Sequence, residues 1–438
     1  MRVVNGGCSV LKHWAGVGMD ALRLAGLKDM RALTLGIDFG TSNTAAAVLE
    51  DDQPRLIELE PGQKTLPTAV FLDYAGRRTL YGSAAVQAMI DGRHGRFMRA
   101  LKSILGTPLA RERRPFLNER LTLLEIIARF LGEVRLRAET ATGARIEHVV
   151  AGRPVHFHSA DAARDRQAQC DLVECYKMAG FADVRFLHEP EAAALAAGPG
   201  EGIGLIVDIG GGTSDFTLFR TEHGTTQIIA SHGVRIGGTD FDRALSLAHV
   251  MPLLGMGGEL RNEIGPGRNA VPPALYHELA SWEKIAFVYG PVTLRDAKRM
   301  ARLALDPSRM TRLVNVLEME LGHDIAFAVE AAKIAANGAQ GQGEIRLDLV
   351  EKGLRPHLWQ PELLTAIWPF ASRIQDAARA TLVQAGLEAD QVERVVFVGG
   401  SSLVGAIEQL MRTTFRQARF EYSEVFTAVV DGLALAAR

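Results

Sequence analysis

Apolar residues along the chain fall into two patterns. Short apolar runs that lead into glycine turns read as buried strands: Leu33–Asp38, Leu205–Asp208 and Val395–Val398. Longer stretches with apolar residues three and four apart read as helices, among them Leu121–Ala138 and most of 243–342. The second of these is broken by glycine- and proline-rich loops at 255–258 and 265–273. Ala69–Asp73 reads as a short strand, and His156 and His158 alternate as if along another. His188-Glu-Pro-Glu-Ala-Ala-Ala-Leu195 reads as a strand end, a proline turn and a helix beginning near Glu191. Helices are expected from about Val404 to Arg412 and from Ser423 to Arg438.

One internal echo organises these elements. Residues 35–49 read LGIDFGTSNTAAAVL and residues 205–219 read LIVDIGGGTSDFTLF, an offset of 170. Each is an apolar strand ending in Asp, a glycine turn carrying Thr and Ser, and a second apolar strand, which is a β-hairpin with a polar tip. The offset is too long for a solenoid repeat. It predicts a duplicated α/β domain whose two lobes each send one hairpin into a shared cleft. Lobe I is expected over 33–202 with an insertion at 66–143, and lobe II over 203–438 with a helical insertion at 243–342. Residues 1–32 read as a mobile extension or a mis-assigned start, with a short helix at Asp20–Lys28 as the alternative.

Glycine lets several backbone N–H groups converge on a phosphate without a lysine cluster. Gly40-Thr41-Ser42 and Gly210-Gly211-Gly212-Thr213 offer two such tips, and the Gly399-Gly400-Ser401 turn offers a third. Asp38 and Asp208 stand just before the two hairpin turns, where they would repel a phosphate unless a cation lay between. They therefore point to Mg²⁺ held largely through water.

Composition narrows the alternatives. The 438 residues carry 49 basic and 51 acidic side chains, a net charge of −2. That balance gives no general attraction to nucleic acid or to an anionic membrane, and neither is expected as a partner. Three cysteines cannot form a disulfide framework in a chain this long. No apolar run approaches a membrane span of about 20 residues and no signal peptide is recognisable, so a cytoplasmic location is expected. The P-loop, G-x-S-x-G and H-E-x-x-H patterns do not occur, and His156 and His158 lack a third metal ligand.

LGIDFGTSN, LIVDIGGGTSDF and VVFVGGSS resemble the two phosphate motifs and the adenosine motif of the actin-like ATPase superfamily, with its ribonuclease-H-like fold. HEPEAAALAAG and RIGGTDFDRAL narrow the resemblance to the heat-shock-70 (DnaK-type) chaperones. TLPTAVF, YGSAAVQAM, ALKSILG and VEAAK follow in that family's chain order, and HVMPLLGMGGE resembles its YegD-type subgroup.

The resemblance implies ATP or ADP with Mg²⁺ as ligands and slow ATP hydrolysis. It implies that Gly40, Thr41 and Ser42 contact the phosphates and that Asp38 and Asp208 arrange the water around Mg²⁺. Lys102 would reach the transferred phosphate, Glu189 would help place the attacking water, and a Thr hydroxyl, that of Thr213, would help orient it. Gly211, Gly212, Thr213 and Asp215 would form the second phosphate hairpin, with Gly237 and Gly238 close to the β-phosphate. Glu330 and Lys333 would lie near the ribose, and Gly399, Gly400 and Ser401 near the adenosine.

Two positions depart from the pattern: Ile334 and Leu403 stand where the family has arginines that face the base. The family's linker and peptide-binding domain would follow the closing helix, where this sequence reaches Arg438. No autonomous binding of unfolded peptide is therefore expected, and a folded protein partner or co-chaperone is left as the other partner besides ATP. Three functions remain open at this point: a chaperone-like ATPase, a nucleotide-gated binding module without useful turnover, and an actin-like scaffold.

Overall fold

The structure, a computed structural model, describes residues 33–196, 201–223, 225–422 and 427–437. The readings for residues 1–32, including the helix at Asp20–Lys28, lie outside the described residues, as does the start of the last helix at Ser423.

The first sheet contains Leu33–Phe39 (β1), Asn43–Glu50 (β2), Gln53–Leu56 (β3), Leu66–Pro67 (β4), Ile146–Arg153 (β5) and Asp183–His188 (β6). Its order is β6-β5-β1-β2-β3, with β4 also paired to β2. The second contains Gly202–Ile209 (β7), Ser214–Glu222 (β8), Thr225–Val234 (β9), Arg394–Val398 (β10) and Arg419–Tyr422 (β11), in the order β9-β8-β7-β10-β11. Both sheets have the same plan. The first strand has an antiparallel meander on one side (β1-β2-β3 and β7-β8-β9) and two parallel strands on the other (β5, β6 and β10, β11). The duplication read from the motifs is thus a duplication of the whole sheet.

Parallel strands need crossover helices, and these repeat as well. Leu123–Thr142 (α1), Ala162–Met178 (α2) and Glu189–Ala196 (α3) surround β5 and β6 in chain order. In the second half, Gly238–Leu245 (α4) and Gly322–Asn337 (α5) come first, and then Gln360–Ala385 (α6), Gly405–Thr414 (α7) and Ala428–Leu435 (α8) repeat the scheme around β10 and β11. The equivalent helices α3 and α8 cross between the lobes, where Gly432 lies against the Ala192 backbone. Small residues allow that approach: Ala192, Ala193 and Ala194 are buried with Val429 and Leu433 in one cluster, joined there by Val150 from β5 and Val396 from β10. Truncating the fully buried Leu433 to Ala would cost about 2–5 kcal/mol.

Local chemistry sets several boundaries differently from the apolar pattern. Thr122 opens α1 with a capping box: its hydroxyl accepts from Glu125 N at 3.2 Å, and its own N–H donates to Glu125 at 2.7 Å. The helix therefore starts after Leu121, which closes the small strand Glu119–Leu121. The strand expected through His156 and His158 ends at Arg153, before Pro154. The Ala-rich helix starts at Glu189 rather than near Glu191, with Pro190 in its first turn, where the missing N–H is tolerated.

The segments between β4 and α1, and from the end of α4 through α5, are insertions outside the plan shared by the two sheets and are termed caps. The first holds the three-stranded sheet Arg78–Tyr81, Ala69–Asp73, Gly95–Arg99. The second is mainly helical but includes a hairpin, Glu259–Arg261 with Arg268–Ala270, inside the region read as helix and loop. The caps touch. Phe97 meets His323 edge to face at 4.9 Å, and the Arg99 guanidinium lies 4.6 Å from the Trp282 ring and 5.2 Å from that of Phe327.

Candidate functional site

The two hairpins close with the same bond. Gly40 N–H donates to Asn43 O at 3.0 Å, and Gly210 N–H donates to Thr213 O at 3.0 Å. Their tips face each other across the seam between the lobes. A Cβ on Gly211 would come within 2.8 Å of the Ser42 hydroxyl, and one on Gly212 within 3.1 Å of the Thr41 hydroxyl. A side chain at either position would require Thr41 or Ser42 to shift. The third turn follows β10, where Gly399 has φ 79°, a left-handed conformation that favours glycine. A Cβ there would also meet the Asp208 carboxylate at 2.8 Å.

These turns form one end of a cavity of about 430 Å³, within the range of small-molecule sites. Asp38 and Asp208 reach it from the ends of β1 and β7, at equivalent positions of the repeat. Lys102, a buried residue of the first cap, donates to Glu189 at the start of α3 at 2.5 Å. Burial by itself would lower the Lys102 ammonium, but Glu189 and Asp38 reverse this and its pKa is raised. The acids feel the opposite pressure. Burial, then Glu189, pushes Asp38 up to about 7; the same two causes push Asp208 well above the usual carboxylate range.

Several buried acids around one ammonium leave the site short of positive charge, and a divalent cation would supply it. Among the described residues, no three His, Cys, Asp or Glu side chains are grouped closely enough to hold a metal by themselves. The excess of acids fits Mg²⁺, which takes one or two carboxylates and fills its remaining positions with water and phosphate oxygens. Asp38 and Asp208, which line the cavity at the ends of β1 and β7, would be the residues to serve it.

The other end of the cavity is one face of α5. Glu330, Lys333, Ile334 and Asn337 line it at helical spacing. Glu330 accepts both guanidinium branches of Arg99, at 2.8 and 3.3 Å, from the opposite lobe. Lys333 pairs with Asp242 of α4 at 2.6 Å, and Asp242 also accepts from the Trp282 indole at 3.1 Å. Asn337 accepts from Gly405 N at 3.0 Å, tying α5 to the start of α7. Ile334 remains 66% exposed although it lines the cavity, so a planar ligand could cover it.

Most of the residues flagged by sequence line this cavity. Besides those already placed, they include Gly40, Thr41, Ser42, Thr213, Gly400 and Ser401. Three flagged residues do not. Asp215 is buried behind the second hairpin, where its carboxylate accepts from Val155 N of the first lobe at 2.7 Å. Burial, then Glu189, pushes it up to about 7. Gly237 and Gly238 support the Gly210–Gly212 turn from behind: Gly238 N donates to Gly210 O at 3.0 Å, and a Cβ on Gly237 would strike the Gly211–Gly212 backbone at 2.5 Å. The motifs did not flag Arg99 or Asn337. Asn337 was within reach, because it lies seven residues after Glu330 on the same helical face. For Arg99 no local pattern exists.

Comparison with known proteins agrees with this architecture. A family model described as Hsp70 protein matches residues 34–115 and 112–252. The chain is 31% identical over 220 residues to a chaperone protein DnaK of Ureaplasma urealyticum, covering 49% of this chain and 34% of the relative. It is 26% identical over 437 residues to a chaperone protein HscA of Escherichia coli, covering 94% of this chain and 59% of the relative. An HscA homolog of Burkholderia orbicola is 31% identical over 246 residues, 52% of this chain and 38% of the relative. The chain thus spans between a third and three fifths of the length of these relatives. With matching motifs, a duplicated α/β fold and a family match over half its length, the chain belongs to the Hsp70 family.

Proposed function

We propose that the chain binds Mg-ATP between its two lobes and hydrolyses it slowly, as a chaperone-type ATPase. The observation that carries this reading is the meeting of the two equivalent hairpin tips beside the buried Lys102–Glu189 pair. Phosphates would lie against the Thr41, Ser42, Gly211 and Gly212 backbone, the ribose near Glu330 and Lys333, and the base between Ile334 and the Gly399–Ser401 turn. Mg²⁺, when bound, supplies the positive charge that the phosphates and buried acids need.

The chain's own residues account for the remaining chemistry. Phosphoryl transfer needs placement and charge neutralisation more than a strong base. Lys102 is held by Glu189 in an ionised state and offers a fixed positive charge to the terminal phosphate. Glu189, bonded to Lys102 through one oxygen, has its other oxygen as an acceptor for the water that attacks phosphorus. The Thr213 hydroxyl is a second group for orienting that water. Water forms the new P–O bond while the bond to the leaving diphosphate breaks.

Lobe closure around the nucleotide would alter the outer faces of the caps, where a folded partner or co-chaperone would read the nucleotide state. Calorimetry on nucleotide-free protein tests the first step. One site per chain for ATP and for ADP is expected, and no heat with either overturns the proposal.

A further inference from the structure

A second, smaller cavity adjoins the phosphate end of the cleft. It shares Thr41, Lys102, Gly212 and Thr213 with the main cavity and none of the α5 residues. Its remaining walls are Ser103, Leu105, Pro154, Phe157, His158 and Arg235. At about 20 Å³ it has room for one water. A tetrahedral phosphate would need its wall to move.

The wall has a movable part. Arg235 follows β9 in the second lobe and is exposed. Its guanidinium donates to the Ser103 carbonyl of the first lobe at 2.6 Å, and its backbone N–H donates to the Ser159 hydroxyl at 3.4 Å. These bonds cross the seam between the lobes, so a relative rotation would strain them. An exposed hydrogen bond has water as a ready replacement and opens at little cost.

The charge distribution gives the cavity a direction. No carboxylate lines it; a cation stands at each end, Lys102 inside and Arg235 outside, with hydroxyls of Thr41, Thr213 and Ser103 along the way. The main cleft carries Asp38, Glu189, Asp208 and Glu330, and the Arg99–Glu330 pair joins two of its walls. A phosphate dianion leaving by the main cleft would pass those acids and the diphosphate left behind. Through the smaller cavity it meets two cations and several hydroxyls, with Leu105, Pro154 and Phe157 as the apolar part of the wall and no carboxylate.

We infer that the phosphate freed by hydrolysis leaves by this rear cavity, past Ser103 and Arg235, while the nucleoside diphosphate stays in the main cleft. The inference rests on the ATPase reading, and the test separates the two. Cleavage is followed by acid quench and free phosphate by a fluorescent phosphate sensor, in single turnovers of the full chain. In wild type and in Arg235→Ala, which removes the bar, free phosphate should appear no later than cleavage. In Arg235→Trp, which replaces the exposed guanidinium by a ring over the opening, free phosphate should lag cleavage at least five-fold. Superimposed curves in Arg235→Trp overturn the exit while leaving the ATPase reading intact. No cleavage in wild type overturns the ATPase reading. The exit is then read from entry, as it is for any variant that does not cleave. Orthovanadate added to the ADP-loaded chain should be captured at least five-fold more slowly by Arg235→Trp than by wild type, and equal capture rates overturn the rear route.

Discussion

The two ends of the cleft, proposed to hold the phosphates and the base, are built in opposite ways. The phosphate end is symmetric and local: two hairpins 170 positions apart close with the same 3.0 Å bond and carry their Asp at the same place. The base end is asymmetric and non-local. It depends on Arg99 reaching Glu330 across 231 residues of sequence, and on Asp242 holding both Lys333 and Trp282. On the proposed reading, backbone turns would fix where a phosphate lies, whereas side chains of the Arg99 strand, α4 and α5 would decide how the rest of the ligand is held. The first device tolerates little change; the second can be retuned residue by residue.

The strongest way to break the comparison is at Lys102. Lys102→Ala should lower single-turnover hydrolysis by about 100-fold or more, the range seen when one fixed donor to transition-state charge is lost. ADP affinity should change little, because the ammonium serves the terminal phosphate. The substitution also leaves Glu189 buried without its partner, so the melting temperature should fall. Quench-flow and calorimetry on one preparation decide the point. Wild-type cleavage would place Lys102 outside the chemistry, and equal losses of ADP binding and hydrolysis would make its role structural.

The next effect is one of pH, at Asp215. This carboxyl ionises near pH 3.8 by its ordinary value and at about 7 in the fold, because of burial and then Glu189. Between those values the unfolded chain gives up a proton that the folded chain keeps, so folding stability falls as pH rises, and the loss is complete above about 7. Asp215→Asn keeps an oxygen for Val155 N and removes the charge. The variant without nucleotide should gain on the order of 2–4 kcal/mol at pH 8 and almost nothing at pH 4. Denaturant melts at both pH values measure it; a gain of the same size at both would mean that the charge is not the cause.

This contrast also explains what could be read from the sequence. The hairpins, the Gly399 turn and the Asp38 and Asp208 carboxylates were legible because a phosphate-binding turn is a short stretch of backbone with a glycine requirement. Glu330 and Lys333 were legible only through family resemblance, and their ion-pair partners were not legible at all. Nothing near Arg99 in sequence indicates that its guanidinium will lie on Trp282 and Phe327. The hairpin at 259–270 escaped for a simpler reason: its strands have three residues each and four of those six residues are exposed on polar side chains, which leaves no alternating apolar pattern to find. Asp215 was assigned to the ligand by its motif, yet geometry turns it toward Val155 between the lobes, a contact that links residues 60 apart.

At the base end the expected effects are smaller. Arg99→Ala removes the bidentate pair to Glu330 and two guanidinium–ring contacts, all partly shielded from water. A loss of about 1–3 kcal/mol is reasonable for such a set. If closure of the caps retains the nucleotide, ADP dissociation should speed up by roughly ten-fold while the cleavage step stays within two-fold. Stopped-flow release of a fluorescent ADP analogue measures the first, and quenched single turnovers measure the second. Unchanged release would show that the caps do not hold the ligand, and the base end would then be a passive rim.

The smallest effect, and the finest test of the comparison, is at Ile334. Its side chain is 66% exposed in the cleft, at a helix position where the resemblance leads one to expect an arginine facing the base. An apolar side chain can pack on one face of a base but offers no charge to its π-system, whereas a guanidinium offers both a flat surface and a cation–π attraction. Ile334→Arg should therefore tighten ADP binding. Glu330 lies one turn before it on α5, in the favourable Glu-to-basic order, and would help to hold the new guanidinium over the cleft. Two terms oppose the gain: the arginine loses rotamer freedom on docking, and Glu330 is already engaged by Arg99. The balance is about 0.5–1 kcal/mol, or roughly two- to five-fold in affinity. Because stacking needs only a π-face, GDP should gain as much as ADP. Inorganic phosphate or pyrophosphate, which lacks a base, should gain nothing, and calorimetric titrations of the three ligands separate the cases. A gain shared by pyrophosphate would mean that the new charge acts on the phosphates through the whole cleft. No gain for ADP would mean that the base does not lie over residue 334, and the assignment of the α5 face as the base end would fall with it.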